Sequence, residues 1–457
     1  MQSFSILTLG CKVNQYESQQ IRELLERFGL TQVDVTAAPE LVVVNTCCVT
    51  HTASAKSRQF LRQARKHEPA AVVICGCLPT IETDELDITG KNIHVVKDRC
   101  DLAPTLIGLL GDPSGTPNAP YPSLPNDDSI KAESPLKVKW KRDLCPPGEL
   151  HPLGRFQGHT RAFLKIQDGC DAFCTYCIIP QTRPRVHSKS PDNVVTEAAG
   201  LVASGHKEIV VTGVHVGAYG QATTRRRNWA TPENGHLPAL LDRIARIPNL
   251  ARIRLSSLDP ADVTSNLLDV FASNPNIMPH LHLSLQSGSD AVLARMCRPY
   301  RRDDFRARIG QIADRLDRPA ITTDIIVGFP SETDADFEQT LELAKDASFA
   351  KMHVFAYSRR QGTAAAKMQD KVPYEVKKER SQILRDLDLT LQHKFRQQFL
   401  GETVQVLIES TKGRPSGRAE RYFMVHLGDG PQTTHNNDLI TVRITENAGD
   451  GVLATPI

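Results

Sequence analysis

Short apolar runs alternate with stretches of helical spacing over residues 1–110. Residues 4–9, 41–44 and 71–74 are apolar enough to be strands. Between the first two, Ile21, Leu24, Leu25 and Phe28 recur at helical spacing over 16–28, and Gly29 stands where a C-terminal cap belongs. A basic amphipathic helix is expected over 53–66, bearing Lys56, Arg58, Arg62, Arg65 and Lys66. Strands and helices in alternation build a doubly wound parallel α/β sheet. Cys11, Cys47 and Cys77 each fall just beyond one of these strands. Ligands bind off the carboxyl ends of strands in such sheets, so the three cysteines are expected to be neighbours in space.

The pattern then breaks. Over 111–158 the chain is interrupted by Pro113, Pro117, Pro120, Pro122, Pro125, Pro135, Pro146, Pro147 and Pro152, with few apolar residues between them, and reads as a linker. Strand signals return at 163–166, 208–211, 253–255, 281–285, 322–327 and 352–355, with helical stretches at 192–203, 238–245, 302–316 and 334–344. Repeated strand–helix units of this kind predict a full or partial (β/α) barrel. An insert at 223–234 containing Arg225, Arg226 and Arg227 is expected to be an exposed loop. After a helix over 374–399 the periodicity becomes two, at Val404, Val406 and Ile408, then around Tyr422, Met424 and Val425, then over 439–444, which predicts a small β-barrel. The expected domains are 1–110, a linker 111–158, 159–398 and 399–457.

Composition changes this picture little. A chain of 457 residues suits two to four domains at roughly 100–200 residues each. A net charge of +3 is too small to announce nucleic-acid binding, so an RNA partner must meet a local basic face. No apolar run approaches the roughly 20 residues of a membrane span, and residues 1–9 lack the basic start of an export signal. The expectation is a cytoplasmic protein. Eleven cysteines, an odd number, argue against a disulfide framework and for ligands or nucleophiles.

The strongest chemical signal is Cys170-x3-Cys174-x2-Cys177, on the loop after the first barrel strand. Three thiolates on one tight loop can hold three irons of a cubane and leave the fourth open. Structural zinc is the alternative, but it takes four ligands, and only His187 stands near enough in sequence to be a fourth.

With Tyr176 in the aromatic place before Cys177, this motif resembles that of the radical S-adenosylmethionine enzymes. The resemblance implies a [4Fe-4S] cluster whose open iron chelates S-adenosylmethionine, with Tyr176 near its adenine. Matching stretches at 212–215, 256–260, 282–288 and 324–333 place Thr212, Gly213, Ser257, Gln286 and Asp324 beside the cofactor. The whole chain resembles the methylthiotransferases, which have an N-terminal cluster domain, a radical barrel and a C-terminal TRAM domain. By that resemblance Cys11, Cys47 and Cys77 hold a second [4Fe-4S] cluster, with Cys48 and Cys75 left as alternatives to Cys47 and Cys77.

The opening Leu-Gly-Cys-Lys-Val-Asn-Gln-Tyr-Glu of residues 9–17 is similar to that of the tRNA enzymes acting on N6-threonylcarbamoyladenosine beside the anticodon. The implied reaction places a methylthio group at C2 of that base. It uses one S-adenosylmethionine to methylate a cluster sulfur and another to remove the C2 hydrogen, and it requires a one-electron donor and a sulfur source. Acting on isopentenyladenosine or on a ribosomal-protein aspartate remains an alternative, as does a non-catalytic RNA-binding protein built on zinc. The family pattern P-x-x-R-G followed by S-R departs here to Pro184 and Lys189, which leaves local loop geometry and a substrate contact open. For the anticodon stem-loop, Lys412, Arg414, Arg418 and Arg421, with Tyr422 and Phe423 beside them for stacking, are the candidate RNA contacts. The segment 359–401 adds ten Lys or Arg against five Asp or Glu.

Overall fold

Runs such as Leu41–Thr46 and Ala71–Gly76 are buried at every position, as strands covered on both faces must be. In the computed structural model, which describes residues 1–81, 90–111, 151–226, 229, 234–428 and 434–457, they are the centre of a five-stranded parallel sheet. Its strands are β1 (Ser3–Thr8), β2 (Thr31–Gln32), β3 (Leu41–Thr46), β4 (Ala71–Gly76) and β5 (Ile93–Val95), in the order β2-β1-β3-β4-β5. Helices α1 (Lys12–Arg27), α2 (His51–Arg65) and α3 (Leu102–Leu110) accompany it. Ile21, Leu24 and Leu25 of α1 join Phe4, Leu41, Val43, Val73 and Leu106 in one core. The apolar stripe read from the sequence is therefore the stripe that is buried.

The chain divides into two compact units, the first made of Met1–Leu9, Glu17–Cys47 and Ala55–His151, the second of Gly10–Tyr16, Cys48–Ser54 and Pro152–Ile457. Most of the expected linker, with Cys145, lies outside the described residues. Its end is not loose, since Leu153 and Phe156 are buried in the core of the second unit.

That core belongs to a partial (β/α) barrel. Its elements are β6 (Ala162–Asp168), α4 (Ile179–Thr182), β7 (His187–Ser188), α5 (Pro191–Ala203), β8 (Glu208–Gly213), α6 (His236–Ala245), β9 (Arg252–Leu255) and α7 (Ser265–Ser273). There follow β10 (His280–Gln286), α8 (Asp290–Arg295), α9 (Arg302–Arg315), β11 (Ala320–Val327), α10 (Asp334–Ala347), β12 (Lys351–Ala356) and the long α11 (Tyr374–Gln397). Sheets β7-β6-β8-β9 and β10-β11-β12 are joined by bridges Ile253 to Ile277 and Leu258 to Leu283, and all their strands but β7 run parallel. Ser190, Thr264, Ser289 and Thr333 cap the helices that return the chain, each accepting a backbone N–H from the first turn.

The last strands, β13 (Thr403–Ser410), β14 (Ser416–Ala419), β15 (Met424–Leu427), β16 (Leu439–Ala448) and β17 (Gly451–Pro456), close a small TRAM-like barrel around Val404, Val406, Ile408, Val425, Val442 and Ile444. Among the described residues no helix is long and apolar enough to cross a membrane.

Candidate iron–sulfur and S-adenosylmethionine site

The loop carrying Cys170, Cys174 and Cys177 leaves the carboxyl end of β6. Gly169 makes the turn possible: its φ is +81°, and a Cβ there would stand 1.8 Å from the Arg185 carbonyl oxygen. The Cys170 N–H donates to the Arg183 carbonyl (2.8 Å), and the Arg183 guanidinium closes on both oxygens of Asp168 (2.8 and 2.9 Å). Arg183, the arginine of the P-x-x-R motif, thus ties the two ends of the loop together.

At the start of the 223–234 insert Thr223 and Arg225 are exposed, as expected, but Thr224 between them is pinned down. Thr224 is 4% exposed, and its N–H and hydroxyl both reach one oxygen of Asp171 (2.7 and 2.8 Å). The Thr223 hydroxyl donates to the other Asp171 oxygen (2.7 Å), and the Thr224 hydroxyl also lies 3.3 Å from the Cys170 sulfur. Asp171, one residue into the motif, is the anchor that draws the insert down. Nothing in the periodicity signals this. Arg227 lies outside the described residues.

The thiols differ in setting. Burial, then the neighbouring Cys174 thiol, pushes Cys177 up to about 12, with Cys170 adding to the effect. Three thiols on one loop are a donor set that fits the open-iron cubane. The His215 charge, opposed by burial, is held by Asp262 (3.1 Å), which raises its pKa to about 10. Burial opposes ionisation at Cys170 too, but His215 and Thr224 hold its thiol below the ordinary range. On the far side of the loop, the Arg298 guanidinium donates to the Cys174 sulfur (3.2 Å) and to the Asp259 carboxylate.

The expected cofactor neighbours are spread over the strand ends. Tyr176 packs on the patch of Val292, Met296, Phe329 and Tyr357, and burial pushes its phenol well up. Thr212 and Gly213 end β8, and Gln286 ends β10 with φ +67°. Ser257 is exposed beyond β9. Asp324 of β11 lies in a cluster with His282 (3.3 Å) and His353, three side chains whose ligand atoms lie within 4.8 Å of one another.

In the first unit, Cys47 follows β3, its N–H donating to the Ser57 hydroxyl (3.1 Å), which in turn donates to the Cys47 carbonyl (3.0 Å). Cys77 follows β4, and Arg99 donates to its sulfur (3.4 Å). Gly76 allows this, since φ is +93° and a Cβ would stand 2.3 Å from the Thr46 carbonyl oxygen. Cys75, by contrast, points into the apolar core beside Val73. In the second unit, Cys11 is exposed at the start of α1 with its sulfur 3.7 Å from Asn14, and Cys48 is fully buried.

The two departures from the family motif have different settings. Pro184 is exposed. Lys189 is buried, donating to the Tyr16 hydroxyl (2.7 Å) and to Glu197 (2.5 Å).

On the C-terminal barrel, Arg421 donates to the carbonyls of Asp317 and Arg318 (2.9 Å each) and lies over Phe399. Arg418 lies over the Tyr422 ring, 4.4 Å away, and Tyr422 is itself stacked on His280 (4.4 Å, 14°). Phe423 meets Phe399. These four fasten the barrel, whereas Lys412 and Arg414 are exposed on the β13–β14 turn.

A family profile for the radical SAM superfamily matches residues 164–344, and one described as uncharacterized protein family UPF0004 matches residues 3–97. The chain is 34% identical to a threonylcarbamoyladenosine tRNA methylthiotransferase of Chlamydia pneumoniae over 99% of this chain and 97% of that one. The chain belongs to the radical S-adenosylmethionine tRNA methylthiotransferases. A Bacillus subtilis enzyme with the same name as the Chlamydia relative is 36% identical over 90% of this chain and 85% of its own. A Bacillus pumilus tRNA-2-methylthio-N(6)-dimethylallyladenosine synthase is 33% identical over 97% and 84%. Among solved structures, the radical methyltransferase TsrM from Kitasatospora setae shares the fold, with TM-score 0.52, 17% identity, and coverage of 80% of this chain and 74% of that one. The cofactors of this tRNA methylthiotransferase are [4Fe-4S] iron–sulfur clusters and S-adenosylmethionine.

Proposed function

We propose that this methylthiotransferase acts on N6-threonylcarbamoyladenosine beside the anticodon, giving the 2-methylthio base. The observation that carries this reading is the near full-length similarity, at 34–36% identity, to three relatives named for that nucleoside, together with the Gly-Cys-Lys-Val-Asn-Gln start at residues 10–15. Cys170, Cys174 and Cys177 hold the radical cluster, and Cys11, Cys47 and Cys77 the second. The core placement of Cys75 favours Cys77 over it.

When bound, the first cluster and S-adenosylmethionine supply one-electron sulfonium cleavage and thereby removal of the C2 hydrogen. The chain's own part is to hold the parts still. Arg183 and Asp168 close the cluster loop, Asp171 and the threonines clamp it, and Tyr176 with its apolar neighbours keeps water out. Thr212, Gly213, Ser257, Gln286 and Asp324 line the cofactor's side of the strands. Lys412 and Arg414 meet the anticodon stem-loop, with Arg418 and Arg421 supporting the barrel behind them. The work is cytoplasmic and draws on an external one-electron donor and a sulfur source.

Mass spectrometry of tRNA nucleosides from cells with and without the protein tests this. Loss of 2-methylthio-N6-threonylcarbamoyladenosine alone is expected. Loss of the 2-methylthio isopentenyl base instead would establish the second reading, which the dimethylallyladenosine relatives support.

A further inference from the structure

Arg298 is held from every side. Helix α8 ends at Arg295, and the chain turns through Cys297 at φ +55°, with the Arg298 N–H returning to the Leu293 carbonyl (2.9 Å). That left-handed turn swings the Arg298 side chain inward, where it is 8% exposed. There Nε donates to the Tyr300 hydroxyl (3.0 Å), and Nη2 to Asp259 and to the Ser284 carbonyl (3.5 Å). The guanidinium also lies 4.9 Å from the Tyr300 ring centre. Asp259 neutralises the charge, and these contacts suffice to fix the side chain. Nη1, the remaining donor, is aimed at the Cys174 sulfur (3.2 Å).

We infer that Arg298 is a positioning residue that sets the reduction potential of the radical cluster through its N–H to the Cys174 sulfur. The inference rests on Cys170, Cys174 and Cys177 being the ligands of that cluster. A donor to a cluster thiolate stabilises the state with the extra electron, because that state places more negative charge on sulfur. A charged donor in a dry site does so more strongly than a neutral one. The rigid fork matters as much as the charge, since a lysine ammonium carries its three N–H donors on one nitrogen and cannot span Tyr300, Asp259 and the Cys174 sulfur as the three guanidinium nitrogens do.

The test is an EPR-monitored redox titration of full-length enzyme carrying Cys11→Ala, Cys47→Ala and Cys77→Ala, so that one cluster contributes. In that background Arg298→Gln is expected to make one-electron reduction about tenfold less favourable, a fall in midpoint of about 59 mV. Arg298→Gln with Asp259→Asn removes the stranded carboxylate and is expected to show a smaller fall in the same direction, the part due to the lost N–H and guanidinium. Arg298→Lys is expected to lie between the variant and the parent. An unmoved midpoint in the double variant would overturn the inference. So would loss of iron from both glutamine variants alongside full iron in Arg298→Lys, since that outcome gives Arg298 a role in cluster retention only. Absence of any cluster signal in the parent background would instead refute the ligand assignment.

Discussion

The smallest scale at which this chain explains itself is a single ammonium group. Lys189 stands where the family motif has arginine, and it fills the place by meeting Glu197 and the Tyr16 hydroxyl in a site closed to water. Removing the charge strands Glu197. Lys189→Met is therefore expected to cost about 3–5 kcal/mol of stability, read from denaturant unfolding of the second unit. The cysteines divide in the same residue-by-residue way. Alanine at Cys170, Cys174 or Cys177 is expected to abolish release of 5′-deoxyadenosine, whereas alanine at Cys11, Cys47 or Cys77 is expected to spare that release and lose the methylthio product. An unchanged methylthio yield in the N-terminal variants would refute the second cluster. What the sequence showed here was the ligand spacing. What it hid was the neighbours, because Thr224, His215 and Arg298 lie outside the cluster loop and meet it only in the fold. Tyr422 and Phe423, read as stacking platforms for bases, are spent on His280 and Phe399 for the same reason.

At the scale of elements, apolar runs marked most of the strands, while β17 (Gly451–Pro456) and several short ones escaped. Edge strands β2 (Thr31–Gln32) and β7 (His187–Ser188) have two polar residues each and no side-chain pattern to betray them, and β14 reads Ser-Gly-Arg-Ala. Strand β9, Arg-Ile-Arg-Leu, is instructive in another way. Alternation assigns its arginines to solvent, yet Arg252 and Arg254 are fully buried under the small barrel. The turn into the cluster loop is the most sensitive joint. Gly169→Ala drives a methyl group into the Arg185 carbonyl and is expected to lower iron content by about four per chain, the content of one cubane, while leaving the N-terminal sheet intact by hydrogen exchange.

For the whole molecule, two cubanes correspond to about eight irons and eight sulfides per chain in anaerobic analysis. The triple alanine variant at Cys170, Cys174 and Cys177 is expected to halve that content. The attachment of the small barrel should also weaken in acid. Burial opposes ionisation of Glu208, but Arg254, Arg161 and Arg252 outweigh it and hold its carboxyl below the ordinary 4.5. Its contribution is thus complete above that value and is lost as pH falls through the lower folded one. Relative to Glu208→Gln, the stability advantage of the parent protein is expected to be full at pH 6 and to fade below about pH 4. The arginines around Glu208 grip the barrel by its main chain: Arg252 donates to the carbonyls of Arg418 and Gln405, and Arg254 to those of Ala419 and Glu420. A carbonyl is the same whatever side chain its residue bears. Exposed positions of the barrel such as Lys412 and Arg414 can therefore change without loosening these four bonds, so the RNA contacts proposed for them can evolve independently of this part of the attachment.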